Sequence, residues 1–87
     1  MLSEITLRLR HTELVGLHYV RVFMEHPAWT IHENADIQNM LAKWCEAHHM
    51  EHCLFLDKVV FDHKSDALAF VLRWQGAVVA GDYLYPG

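Results

Sequence analysis

Two thiols and three imidazoles fall within the nine residues Cys45-Glu46-Ala47-His48-His49-Met50-Glu51-His52-Cys53. Thiolate and imidazole are the ligands of tetrahedral zinc sites. On a helix, Cys45 and His49 are i, i+4 neighbours, a separation that sets two ligands over one metal. His52 and Cys53 follow the expected helix end, where a turn brings them back. A zinc site of Cys45, His49, His52 and Cys53 is therefore the metal chemistry this segment offers, with His48 or His63 as substitutes. The spacing is not that of zinc modules, which separate two close ligand pairs by a longer loop. Each residue also has a plain packing role. His48 completes an apolar helical stripe, Cys45 packs beside Trp44 as a small hydrophobe, and Cys53 opens a buried strand. His49 and His52 are then exposed polar residues.

The second concentration of chemistry is Asp62, His63, Lys64, Ser65 and Asp66. A hydrolase needs a nucleophile oriented by a base that a third group orients in turn. Ser65 reads instead as the N-cap of the next helix, and Asp66 as a first-turn acid favoured by the helix dipole. No nucleophile elbow, phosphate-cradling glycine loop or paired-carboxylate pattern is present. An enzyme built on His63 with Asp62 or Asp66 is the weakest reading, and no catalytic residue is assigned.

The elements that would position these residues follow from periodicity. Ile5, Leu7 and Leu9 alternate with Thr6, Arg8 and Arg10, which predicts a half-exposed strand with antiparallel neighbours. Residues 12–25 carry both signals: Leu17, Val20 and Met24 sit at helical spacing, while Val15, Tyr19, Val20, Val22 and Phe23 favour a strand. A helix is expected there, because the link from the first strand lacks hairpin turn chemistry. Residues 34–49 predict the clearest helix, with Asn34 as N-cap and Ile37, Met40, Leu41, Trp44 and His48 as one buried stripe. Residues 53–61 predict a strand with a bulge near Asp57-Lys58. A nearly all-apolar helix follows from Asp66 to Trp74, stopped by Gly76, and residues 77–84 form a last strand. A short strand at Trp29–His32 would make the order ferredoxin-like. The expectation is one α+β domain over residues 1–87: a three- or four-stranded, mainly antiparallel sheet with two or three helices on one face. The Thr6/Arg8/Arg10 face is then open for docking.

Composition narrows the function. A chain of 87 residues builds one core, yet 53% of its residues are hydrophobic, above the usual range of about 45–50%. The surplus predicts a partner surface or a homodimer interface. Trp44 and Trp74 fall on buried helix faces; Trp29, Tyr83 and Tyr85 are candidate contact aromatics, joined by Arg8 and Arg10. The net charge of −4 argues against a nucleic-acid partner, which requires a clustered positive face. Protonating all eight histidines would reverse that charge to +4, which predicts pH-sensitive solubility. No signal-peptide core or bilayer-length apolar run is seen, and two cysteines without a secretion signal are expected as reduced thiols. A cytoplasmic protein, the host cytoplasm if phage-encoded, is the expectation.

The run Val60-Phe61-Asp62-His63-Lys64-Ser65-Asp66-Ala67-Leu68-Ala69-Phe70-Val71-Leu72-Arg73-Trp74 resembles the C-terminal pattern of small uncharacterised bacteriophage accessory proteins. In those, a strand ending in Phe leads to an Asp-Ala pair, a Phe and a Leu-Arg-Trp ending, and Trp44 on the preceding helix is similar to theirs. The likeness covers about 30 of the 87 residues and rests on core and capping positions. Val71 stands where a basic residue is common, and the chain continues past Trp74 into an apolar strand. The resemblance implies a small phage-encoded protein that binds and redirects or inhibits a host protein. The leading expectation is thus a non-enzymatic protein-binding module without a cofactor; the alternative is a zinc protein.

Overall fold

The structure is a computed structural model that describes residues 2–24 and 35–82. The alternation seen at Ile5, Leu7 and Leu9 runs on to Leu14, so β1 spans Leu2–Leu14 and β2 spans Leu17–Met24. Between them Val15 and Gly16 take φ of 52° and 77°. Positive φ at both central residues is what a two-residue type I′ hairpin requires. The expected helix over residues 12–25 is therefore a strand. A period of two buries His18, Val20, Val22 and Met24 together, whereas the helical spacing would have gathered Leu17, Val20 and Met24. Burial decided the competition.

Helix α1 spans Ala35–Ala47 and buries Ile37, Leu41 and Cys45, one residue per turn. Met40 and Trp44 pack at the flank of that stripe, half-buried. His48, expected at its end, is exposed and lies against the Trp44 ring with centroids 4.3 Å apart. The helix stops there because His49 turns left-handed (φ 56°) and Met50 donates its N–H to the Cys45 carbonyl at 3.0 Å.

The segment expected as one bulged strand is a second hairpin, β3 (His52–Phe55) and β4 (Lys58–Phe61), turning at Leu56 with φ 56°. Helix α2 spans Lys64–Trp74, and His63 takes the N-cap with no side-chain bond, leaving Ser65 inside the first turn. Its buried face is narrower than its composition suggested. Ala67, Phe70 and Trp74 are covered, while Leu68 and Leu72 stay exposed. Gly76 ends the link at φ 75° and leads into β5, Val78–Asp82.

All strands pair antiparallel in one sheet ordered β3-β4-β2-β1-β5. The α+β expectation holds, with five strands among the described residues where three or four were expected, since both misread segments became hairpins. The described elements run ββαββαβ, and the strand at Trp29–His32 on which the ferredoxin-like variant depended lies outside the described residues. Ile5, Leu7, Leu9, Val20, Val22, Met24, Val59 and Phe61 from one sheet face join the buried residues of both helices in a single core. Each large side chain buried there is worth about 1.5–3 kcal/mol. No helix among the described residues is long and apolar enough to cross a membrane.

Candidate functional site: the open face of the sheet

Since both helices cover one face, side chains of opposite parity stand on the other. The strand register fixes them in rows. Arg10 lies opposite Arg21, Arg21 opposite Lys58, and Lys58 opposite Phe55. The next row toward the first hairpin is Thr12, Tyr19, Val60 and Cys53, and on the other side Arg8 faces Phe23. Along β2 the face therefore reads Tyr19, Arg21, Phe23: aromatic, cation, aromatic.

The middle row is electrostatically unusual. Like charges directly opposed on neighbouring strands repel, and here three cations follow one another across three strands. One carboxylate offsets them. Asp57 accepts from Lys58 Nζ at 3.2 Å and pairs with Arg21 Nε at 3.2 Å. The β3–β4 turn holds it in place, because the Asp57 carbonyl accepts the Val22 N–H at 2.9 Å. Arg21 also sits over the Phe23 ring, 5.8 Å from its centroid, a cation–π contact that steadies the guanidinium. Arg10 is exposed and makes no ion pair with another described residue. Glu4 shares this face but stands six residues along β1 from Arg10, about 20 Å at strand rise.

A groove of about 370 Å³ opens over this row, lined by Arg10, Thr12, Leu14, Tyr19, Arg21 and Lys58. Cations and hydroxyl-bearing side chains thus meet an apolar rim. Such a surface can hold an anion while its carrier packs on Leu14 and Tyr19.

Comparison of the chain with protein-family models, curated proteins and solved structures gives no match.

The Cys/His segment is dispersed by the fold. Cys45 is fully buried in the core, where burial first, then the Asp66 and Glu46 carboxylates, push its thiol up to about 12. Cys53 lies on the opposite, open face and is exposed. His52 Nδ1 is 2.9 Å from the Met50 carbonyl, and His49 is an exposed helix-terminal residue. The structure does not bring Cys45, His49, His52 and Cys53 together, and no group of three or more His, Cys, Asp or Glu among the described residues is placed to hold a metal. A strand puts neighbouring residues on opposite faces, so a site spanning Cys45 and Cys53 would have to cross the sheet. His63 at the start of α2 faces Glu51 at 3.9 Å, on the surface.

Of the residues expected to contact a partner, Arg8 and Arg10 stand exposed on the open face. Trp29, Tyr83 and Tyr85 lie outside the described residues. Sequence reasoning missed Tyr19, Arg21, Phe23 and Lys58. The signal was available: strand alternation in 17–24 puts the first three opposite the buried Val20 and Val22.

Proposed function

We propose that the protein is a non-enzymatic binding module that docks an acidic segment of a larger partner protein on its open sheet face. It modulates or inhibits that partner by covering the contacted surface. The observation that carries this reading is the row Arg10–Arg21–Lys58, uncovered and offset by Asp57 alone among the described residues, in a protein whose net charge is −4. Placing three cations in register costs stability, and Asp57 answers Arg21 and Lys58 while Arg10 makes no ion pair with another described residue. Tyr19, Phe23 and Phe55 supply large side chains around the row, the kind that anchors protein interfaces. A second copy of the chain would present cations to cations on this face, which favours a hetero-partner over a homodimer here. The likeness of residues 60–74 to small phage accessory proteins supports a phage-encoded factor acting on a host or viral protein.

The test is affinity capture from a bacterial lysate with three baits: the protein, Arg10→Glu, and Lys43→Glu on the exposed side of α1. A protein retained by the first and third baits but lost by the second supports the reading, with capture weakening as salt rises. Equal capture by Arg10→Glu overturns it.

A further inference from the structure

The same groove points to a narrower chemistry, and this step rests on the docking reading above. We propose that the groove over Arg10, Arg21 and Lys58 is a phosphomonoester subsite that takes a phosphorylated side chain of the partner. Three observations lead there. Asp57 neutralises one of three cations, so the row keeps two positive charges. A phosphomonoester carries about −1.5 to −2 at neutral pH and matches that surplus, where a carboxylate leaves half of it unanswered. The donors also suit three phosphoryl oxygens: Arg10 and Arg21 bring guanidinium forks from adjacent strands, Lys58 brings an ammonium, and Thr12 adds a hydroxyl at the edge.

The third observation concerns the carrier. The groove, at about 370 Å³, is several times the roughly 30 Å³ of a water and exceeds what an isolated oxyanion fills. Leu14 and Tyr19 give the remainder an apolar wall, so the anion arrives attached to an apolar or aromatic group. Three of the cations on this face lie in one row across the strands, and Arg8 alone extends them along β1. A nucleic-acid backbone spreads its charge along a line and calls for cations at intervals, which the Glu4 end of β1 does not provide.

The experiment titrates the protein with phenyl phosphate, benzoate and a single-stranded oligothymidylate, following backbone amide shifts by NMR and Tm in parallel. Phenyl phosphate should shift Arg10, Thr12, Tyr19, Arg21 and Lys58 and raise Tm, with benzoate tenfold weaker or more. Arg10→Thr should weaken phenyl phosphate by about tenfold or more, the loss of one charge-assisted contact. Without ligand the same variant keeps or raises Tm, because a like-charge pair has gone. Lys43→Ala, on α1, should change neither value. Benzoate binding as tightly as phenyl phosphate overturns the phosphoryl assignment, as does tighter oligonucleotide binding with shifts spread along β1. Failure of all three probes overturns it too, yet leaves the docking reading to the lysate capture. Phosphatase treatment of a captured, face-dependent partner separates the two: retained capture removes the phosphoryl group and keeps the docking face.

Discussion

Gln75 does the work of a missing strand at one position of the sheet edge. Leu9 donates its N–H to Gln75 Oε1 at 2.6 Å, and Gln75 Nε2 donates to the Leu9 carbonyl at 3.2 Å, so one side-chain amide satisfies both backbone groups where β5 no longer reaches. An unpaired edge residue is a template for aggregation, and the amide closes it. Gln75→Ala should cost about 1–2 kcal/mol by urea denaturation, the net worth of two such bonds; an unchanged midpoint would show that water replaces the amide without loss. Cys45 offers a residue-scale pH prediction. Its thiol is protonated in the fold up to about 12, against 9.0 when exposed. Below pH 9 both states hold the proton and stability is unaffected. Between 9 and 12 the unfolded chain releases it and the folded chain does not, so stability falls by about 1.4 kcal/mol per pH unit. Cys45→Ala should flatten that alkaline slope relative to the unmodified protein, and a thiol reagent should label Cys53 alone in the native state.

At the scale of elements, the two hairpin turns explain what was readable and what was not. Val15 at φ 52° is a β-branched residue in the left-handed region, a conformation that costs of order 1–3 kcal/mol. Since Val15 is 91% exposed, no burial of its side chain offsets the cost. Val15→Asn should therefore stabilise the protein by about 1 kcal/mol, and Gly16→Ala should destabilise it, both read from thermal midpoints. The same two residues hid the fold. Nothing in Val-Gly announces a type I′ turn, so residues 12–25 looked helical, and with them went the Tyr19–Arg21–Phe23 face. Leu56 hid the second turn in the same way. The elements whose signal is local were legible: the period-two run from Ile5 to Leu9, α1 from Ile37 to Cys45, and the Gly76 stop. The groove was not, because Arg10, Arg21 and Lys58 meet only through a register set by two turns of atypical sequence. Arg8 and Arg10 could be placed on an open face beforehand since their own strand alternates cleanly.

For the whole molecule, the question posed by a 53% hydrophobic chain is where the surplus goes. It is divided between two sides. Leu14, Phe55 and Leu56 stand exposed on or beside the open sheet face, near the cation row, while Leu68 and Leu72, one turn apart, line the outer side of α2. Leu72 is the most exposed of these at 84%, and by area alone α2 competes as a docking side. Charge separates the two. Among the described residues the helix side carries no cation row comparable with Arg10–Arg21–Lys58, so its leucines are surface residues of the ordinary kind. Two substitutions distinguish the sides. Leu72→Glu should move the urea midpoint by no more than about 0.5 kcal/mol equivalent, as expected for an exposed position, and should leave partner capture intact. Phe55→Glu, at the end of the cation row beside Lys58, should keep the fold and still weaken capture, because its carboxylate answers the lysine from within and takes an aromatic from the rim. If Leu72→Glu removes the partner and Phe55→Glu does not, the working side of the molecule is the helix layer, and the cation row has some other use. With both variants folded, sedimentation adds the remaining arm: a mass that rises with concentration in the unmodified protein and is lost only in Leu72→Glu would assign the α2 leucines to a homodimer and leave the sheet to the partner.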